Sequence, residues 1–395
     1  MTKLEQLIKE LCPNGVEYKK LSDIATVARG VRVVRDQLAE TGDIPVYQNS
    51  IKPLGYHDKS NVKAYSAFVI GAGAAGEIGF SDVDFWAADD CYYFLCPDNL
   101  NNRYLYFVLM KNQPLILSRV RKASIPRLSR TVIENLVIPV PPLEVQAEIV
   151  KILDNFTELT AELTAELTAR KKQYEYYRDL LLDFGVHGGG TSECEWRTLG
   201  EMFPFIRNGF VGTVTPFYTD KENGVRYLQG TNIHNGVISD NEVFYITKEF
   251  HEKHKKNELQ SDDILMVQSG HVGECAVVGE KYKGSNCHAL IILSNGGQCD
   301  SNYVRYYLQS THGKRILVRI TTGGTVKHIL ASKMKNVVIP FPPIEEQKRI
   351  VSTLDRFDKL CNDISEGLPA EIEARRKQYE YYRDRLLSFE ERKNA

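Results

Sequence analysis

With 395 residues, 43% hydrophobic and 26% charged, the chain has a globular composition and is too long for one ordinary core, so two or three domains are expected. A net charge of −1 means that any binding to nucleic acid has to come from local patches. No apolar run has the length of a membrane span, Met1–Glu10 is too polar for a signal peptide, and the eight cysteines form no CxxC pair or zinc-ligand spacing. These features point to a cytoplasmic protein with reduced thiols and no membrane association.

In chain order, Lys3–Leu11 carries apolar residues at helical spacing and stops before Pro13. The segment EYKKL, from Glu17 to Leu21, has a counterpart EWRTL from Glu195 to Leu199, where a second half begins. Asp43–Gln48 and Val225–Gln229 read as strands followed by Asn-containing loops. Ala67–Ile70 and Ile264–Val267 read as apolar strands running into glycine turns, Gly73–Glu77 and Gly270–Glu274. Tyr92–Leu95 and Leu290–Leu293 read as further strands, and Arg103–Met110 and Tyr303–Ser310 as helices. The halves share an order of elements and differ at most positions, as duplication followed by divergence of a binding surface would leave them. Mixed α+β is the class this implies.

Each half ends in a stretch that occurs twice. VIPVPPLEVQAEIVKILDNF from Val137 matches VIPFPPIEEQKRIVSTLDRF from Val338 at an offset of 201 (Phe156 to Phe357). ARKKQYEYYRDLLLDF from Ala169 matches ARRKQYEYYRDRLLSF from Ala374 at an offset of 205. From Leu143 the apolar residues recur in steps of three and four through Phe184, which predicts a helix of roughly 40 residues and about 60 Å. The second stretch is interrupted by Gly367-Leu368-Pro369, where the helix should kink or restart. Two such amphipathic helices are expected to pair, in antiparallel order if the halves are related by a pseudo-two-fold axis. The proline pairs 141–142 and 342–343 introduce the helices, and Gly185–Ser192 is expected to be a flexible return. Residues 158–169 read ELTAELTAELTA. Four helical residues add about 6 Å and a net rotation near 40°, close to the roughly 36° twist of one base pair. The block is thus either a good helix former or a length adjuster.

Charge is distributed unevenly. Asn99–Ile133 has no acid but carries Arg103, Lys111, Arg119, Arg121, Lys122, Arg127 and Arg130. Ser301–Ile344 likewise has none, with Arg305, Lys314, Arg315, Arg319, Lys327, Lys333, Lys335, His312 and His328. Two such runs at equivalent places suit phosphate binding, with solvated helix faces or an acidic protein partner as the alternatives.

Catalytic patterns are weak. Gly71–Gly76 is a literal GxGxxG, but the residues after Glu77 have strand and turn character, whereas a dinucleotide site needs a helix there. No GxxxxGK[ST] loop and no Asn/Asp-Pro-Pro-Tyr/Phe motif occurs. Asp262, Asp263, Glu274 and Lys281 are too loosely spaced for a nuclease set and have no repeat in the first half. His251 and His254 lie among lysines and read as a solvated basic face rather than a metal site. No catalytic constellation is assembled.

Two divergent α+β domains alternating with two near-identical helical segments, each opened by Ile-Pro-x-Pro-Pro-[Leu/Ile]-Glu-x-Gln, resemble the specificity subunit of type I restriction–modification systems. The resemblance spans the chain and is carried by Ile138–Gln146, Ile339–Gln347, the stretches through Phe156 and Phe357, and the QYEYYRD runs. One departure is Val145-Gln146 where the second copy has Glu346-Gln347. The resemblance implies an α+β fold of two pseudo-symmetric target-recognition domains separated by two long antiparallel, coiled-coil-like helices. The boundaries expected are an N-terminal helical segment 1–15, recognition domains 16–142 and 194–343, spacer helices 143–184 and 344–391, and a linker 185–193.

It further implies that each recognition domain reads one half of a bipartite, asymmetric double-stranded DNA site. The helices would set the gap and dock two methyltransferase subunits, which motor–nuclease subunits join. This chain would be non-catalytic and hold no cofactor; S-adenosylmethionine, ATP and Mg would belong to the partner subunits. Phosphate contacts are expected from Arg119, Arg121, Lys122, Arg127 and Arg130, and from Arg319, Lys327 and His328. Base reading is expected from Gln48, Asn49 and Ser50, from Gln229, Thr231 and Asn232, and from Gln268, Ser269 and His271. Turn capping is the alternative role of each polar loop residue. The competing readings of the whole are a non-DNA adaptor whose basic surfaces serve acidic protein partners, and an enzyme using the Gly71–Gly76 turn for a nucleotide.

Overall fold

The computed structural model describes residues 2–185, 194–324, 327–362 and 367–392. The expected return at 185–193 therefore lies, from residue 186 onward, outside the described residues. The main helices are α1 (Lys3–Leu11), α2 (Asn102–Ser118), α3 (Leu143–Leu181), α4 (Lys248–Lys253), α5 (Ser301–Gln309), α6 (Thr311–Ile320), α7 (Ile344–Asn362) and α8 (Leu368–Leu386). The chain forms two compact units, Met1–Leu163 with Ile372–Ala395, and Thr164–Glu371. Both boundaries fall inside long helices, α3 and α8.

The first unit is built on a four-stranded antiparallel sheet of β1 (Thr26–Arg29), β2 (Ser66–Ile70), β3 (Ile78–Ser81) and β4 (Cys91–Leu95), ordered β1-β4-β2-β3. Strand β2 is buried throughout, so its sequence SAFVI shows no polar alternation. Its two faces serve two cores with the period of a strand. Ala67 and Val69 join Tyr104, Leu105 and Val108 of α2 and Ile149 and Leu153 of α3. Phe68 and Ile70 meet Phe85, Ala87 and Tyr47 beneath a small sheet of Ile44–Tyr47, Gly55–His57 and Trp86–Ala87.

The second unit repeats the arrangement. Strands β5 (Phe205–Asn208), β6 (Ile264–Val267), β7 (Cys275–Val277) and β8 (Leu290–Ser294) are ordered β5-β8-β6-β7. Ile264 and Met266 face the core that holds Tyr303, Ile350 and Leu354, and Leu265 and Val267 face the other way. Its small sheet has an added edge strand, Tyr218–Thr219, and α4 follows Phe244–Thr247. In both units a short strand clasps the one that precedes the proline pair: Tyr18–Lys20 on Val137–Pro139, and Glu195–Thr198 on Val338–Phe341.

One segment is longer than the sequence suggests. Helix α2 runs through Pro114 to Ser118, whereas the equivalent stretch is split at Ser310 into α5 and α6. Two residues inserted between Tyr303 and Thr322, relative to Tyr104 and Arg121, account for the split. Ser310 caps the new helix through Gly313 N–H, and a Cβ at Gly313 would lie 2.1 Å from the Tyr307 carbonyl.

The long helices contribute to each unit in a crossed manner. Phe156 of the first repeat stacks on Tyr382 of the second, with ring centroids 5.4 Å apart, in the first unit. Tyr177 of the first repeat stacks on Phe357 of the second at 5.8 Å in the second unit. Phe156 and Phe357 are repeat equivalents, as are Tyr177 and Tyr382, so one contact is used twice with the roles exchanged. The start of one repeat thus meets the end of the other in each unit, the contact order of an antiparallel pair. In the second stretch the described helical residues are Ile344–Asn362 and Leu368–Leu386. The expected interruption lies largely outside the described residues, and Pro369 sits in the first turn of α8, which its fixed φ suits.

Candidate nucleic-acid interface

Strand β2 ends in the turn Gly71–Gly76, and the sequence there is dictated by crowding. Gly73 has φ +84°, and a Cβ on it would lie 2.8 Å from Asn49 O. A Cβ on Gly71 would lie 2.7 Å from the Tyr92 ring. Ile70 N–H donates to Glu77 O and Gly76 N–H to Ile70 O, closing the turn. Strand β3 follows it, not a helix, so no helix N-terminus is available for a pyrophosphate.

Two further segments are sewn to this turn by main-chain hydrogen bonds. Ala74 N–H donates to Asn49 O at 2.9 Å, which fixes the 48–50 loop. Leu128 N–H donates to Gly71 O at 2.8 Å and Gly73 N–H to Pro126 O at 3.1 Å, which fixes a hairpin. That hairpin is closed by reciprocal bonds between Arg121 and Arg127, at 2.8 and 3.1 Å. Because the backbone alone makes these bonds, the side chains of all three segments are left to other uses.

The second unit has the same platform. Thr322 and His328 exchange main-chain bonds of 2.8 and 2.7 Å, and Ile329 N–H donates to Gln268 O at 3.0 Å. Gly273 N–H donates to Val267 O, as Gly76 does to Ile70. Gly270 has φ +82° but opens onto free space, unlike Gly73. A groove of about 570 Å³ beside this turn is lined by Lys171, Arg178, Glu274, Lys314, Lys327 and Asp358 among others.

Arg119, Arg121, Lys122, Arg127 and Arg130 are all exposed, as are Arg319, Lys327 and His328. Arg130 is paired with Glu134 at 2.9 Å. Arg119, Arg121, Lys122 and Arg127 have no carboxylate partner among the described residues, so four cations concentrate within nine positions. Other members of the basic runs are spent inside the fold. Arg103 binds Asp154 and stacks on Phe80, and Arg305 is buried against Tyr306. Lys111 donates to Leu387 O and Ser388 Oγ, and burial lowers its pKa.

Of the residues expected to read bases, Asn49, Thr231 and His271 are exposed, and Gln48, Ser50, Gln229, Gln268 and Ser269 are half-buried. Asn49 with Ser50 and Gln268 with Ser269 lie on or against the two turns. Ser50 Oγ accepts from Lys52 N–H, Gln229 Nε2 donates to Tyr218 Oη, and Thr231 Oγ1 donates to Glu242. Asn232 is a correction. It is fully buried, accepts from Gln229 N–H at 2.9 Å and donates to Ser239 O and Glu242 O. Its amide is consumed in stapling the loop and is not presented to a base.

The histidine pair also departs from expectation. His251 is buried with Nε2 at 3.2 Å from Glu258, and the His254 ring packs at a tilt on Phe250 with centroids 4.5 Å apart, so only the flanking lysines form a solvated face. Asp263 is buried and accepts from Gln260 N–H, and Lys281 pairs with Asp240, so the Asp–Glu–Lys set is not assembled. Among the described residues no cluster of His, Cys, Asp and Glu is placed to hold a metal ion. No described helix is long and apolar enough to cross a membrane.

The signature glutamines have a structural role that pattern reading did not supply. Gln146 and Gln347 are fully buried. Gln146 accepts from Asn101 N–H at 2.8 Å and donates to Asn99 O and Pro141 O. Gln347 accepts from Asp300 N–H at 2.9 Å and donates to Pro342 O. Each ties the start of a long helix to the capped start of α2 or α5. The pairing Tyr104 Oη to Pro139 O is likewise repeated as Tyr303 Oη to Pro340 O.

The chain matches the type I restriction modification DNA specificity domain (Methylase_S) twice, at residues 13–170 and 191–374. It is 32% identical over 410 aligned positions to a putative type I restriction enzyme specificity subunit of Haemophilus influenzae, covering 98% of each chain. It is 38% identical to the EcoR124I/EcoR124II specificity subunit of Escherichia coli over 64% of this chain and 61% of that one. Its fold is similar to the type I restriction–modification S subunit from M. genitalium, with a TM-score of 0.62, 15% identity, and coverage of 94% and 96% of the two chains. A second chain, solved in work on complex assembly and conformational transition of the type I R-M system, also gives 0.62 at 17% identity, covering 95% and 98%. The chain belongs to the type I restriction–modification DNA specificity family.

Proposed function

We propose that this chain selects the DNA target of a type I restriction–modification complex, each unit reading one half of a bipartite site. The observation that carries this reading is the platform found in both units. A hairpin is mounted on a glycine turn by main-chain bonds, and in the first unit it bears Arg121, Lys122 and Arg127 without carboxylate partners among the described residues. Arg119 extends that patch, and Arg319, Lys327 and His328 serve the second half. Asn49, Gln268, Ser269 and His271 are the amide, hydroxyl and imidazole groups nearest the turns and are assigned to base contact.

The long helices set the gap between the half-sites and dock partners. Tyr176 and Tyr381 are repeat equivalents that stay 64% and 59% exposed. Val137 with Val338 and Leu143 with Ile344 are likewise duplicated and exposed. Identical apolar surfaces presented twice suit two copies of one protein, the methyltransferase subunit. Chemistry, with S-adenosylmethionine, ATP and Mg, resides on the methyltransferase and motor–nuclease subunits in the cytoplasm.

The test is a modification map. The chain is co-expressed with its methyltransferase partner in a host lacking adenine methylation, and the modified DNA is sequenced. A single motif of two short specific parts around a fixed gap is expected. Deleting Thr164–Leu167 should change the gap and leave both parts intact. A stable complex that modifies nothing would overturn the assignment.

A further inference from the structure

We infer that Asp154 and Asp355 are positioning residues, each fixing the rotation of one recognition domain on the start of its spacer helix so that the gap is read at one length. The inference rests on the bipartite reading above. The two aspartates are repeat equivalents, yet their partners differ in kind. Asp154 Oδ1 accepts from Arg103 Nε at 2.8 Å and lies 2.7 Å from its terminal nitrogen. The guanidinium is itself held over the Phe80 ring at 4.3 Å. Asp355 Oδ1 accepts from Tyr306 Oη at 2.7 Å.

The partners also occupy different places. In the register that aligns Tyr104 with Tyr303, Arg103 corresponds to Asn302, and Tyr306 to Phe107. The donor has moved one helical turn along the recognition-domain helix while its acceptor has stayed. Divergence without constraint would have left one aspartate without a donor from that helix. Instead each half supplies one, by a different side chain.

Geometry says what the contact adds. Gln146 and Gln347 already fasten each long helix to the start of α2 or α5. Ile149 and Leu153, and Ile350 and Leu354, pack the helices against the same cores, but apolar packing is non-directional, so one directional fastening point still leaves a pivot. The aspartates lie eight residues further on, about 12 Å along the helix, and bond to the same recognition-domain helix. Two points that far apart remove the pivot. Neighbouring gap lengths differ by only about 36° and 3.4 Å per base pair, so a modest swing at this joint would blur them.

The experiment uses the full chain in complex with its methyltransferase partner, as wild type, Asp154→Ala and Tyr306→Phe. Methylation is measured on duplexes that carry the mapped motif with its own gap and with one base pair more or fewer. The expected result is an unchanged pair of specific parts, with the preference for the native gap reduced about 10-fold or more in each variant. Lower melting temperature with an unmoved gap preference would show a merely structural contact and overturn the inference. Should Asp154→Ala fail to yield soluble complex, Tyr306→Phe removes only one hydroxyl and decides the matter by the same outcomes. A wild-type complex that modifies no split motif would overturn the bipartite reading and this inference with it, whereas a split motif with unmoved variants overturns the inference alone.

Discussion

The hairpin closed by Arg121 and Arg127 and the segment closed by Thr322 and His328 are each joined to a glycine turn by an equivalent backbone bond, Leu128 N–H to Gly71 O and Ile329 N–H to Gln268 O, yet they share almost no side chains. In the first unit the positive charge is on the hairpin itself, in Arg121, Lys122 and Arg127. In the second most of it lies on α6, where Lys314, Arg315 and Arg319 stand in place of Gln113, Pro114 and Ser118 of α2, and the segment itself keeps Lys327. The hairpin there begins with Thr322-Gly323-Gly324. A scaffold held by main-chain atoms tolerates replacement of every side chain it presents, which is what a surface selected for new targets requires. The helix starts show the opposite behaviour. There, side chains such as Gln146 and Gln347 make the bonds, and they are kept.

The largest expected effect is therefore on the kept part. Gln146→Ala strips partners from one half-buried N–H and two carbonyls and should cost about 3–4 kcal/mol. Gln347→Ala strips one N–H and one carbonyl and should cost roughly 2–3 kcal/mol. Urea titrations of the two variants check both the size and the order; equal losses under 1 kcal/mol would break the contrast between kept and replaced regions. Next comes the hairpin. Replacing Arg121, Lys122 and Arg127 together by Ala should weaken DNA binding by the assembled complex roughly 10- to 100-fold for every sequence and lower the salt dependence by about three contacts. Arg319→Ala with Lys327→Ala should lower it by about two. A loss confined to one base position, seen by titrating duplexes at two salt concentrations, would assign these side chains to base reading instead.

The duplication, the succession of strands along the chain and the long helices were legible because each rests on a local pattern: a repeat, an apolar run or a three–four spacing; the order of the strands within each sheet was not. So was the proximity of basic runs to glycine turns, though only as order along the chain. What pattern reading could not supply is which polar side chains the fold consumes. Asn232 looks like Asn49 in sequence, and only its burial shows that its amide is occupied. Arg103 and Arg119 both belong to one acid-free run, but the first meets an acid some fifty positions away, on α3. The paired histidines sit among lysines in sequence, while in the fold His254 packs on Phe210 and Phe250 and the buried His251 meets Glu258. Gln146 stood inside the signature, yet its role depends on Asn99 and Asn101, which only the fold brings near.

The two turns offer a finer contrast. Gly73→Ala and Gly270→Ala both place a Cβ at positive φ, which costs about 1–2 kcal/mol. At Gly73 the new methyl also meets Asn49, so that loop must shift and first-half recognition should fall further. At Gly270 nothing is in the way, and only the conformational cost should appear. Melting curves and binding to duplexes altered in one half-site separate the two; an intact 48–50 loop with Gly73→Ala would show that the turn does not position Asn49.

The smallest effect concerns acid. His254 is packed against Phe210 and Phe250, and His288 lies 3.4 Å from Tyr227 Oη. Burial lowers the pKa of both, with Lys253 and Lys256 adding to the effect at His254. A histidine held neutral in the fold takes up its proton more readily when unfolded. Its contribution is therefore complete above about pH 6.5, the ordinary histidine value, and is lost as pH falls through that point toward the lowered folded pKa. The second unit should then melt about 2–4 °C lower for each kcal/mol lost between pH 7.5 and 5.5. The chain has two tryptophans, Trp86 in the first unit and Trp196 in the second, so each unit carries its own fluorophore. With Trp86→Phe, the remaining signal follows the second unit alone. Replacing His254 and His288 by Gln should flatten its pH response, and a response that persists would place the acid sensitivity elsewhere in the unit, for instance at a carboxylate such as Asp240, whose pKa the Lys281 hydrogen bond lowers.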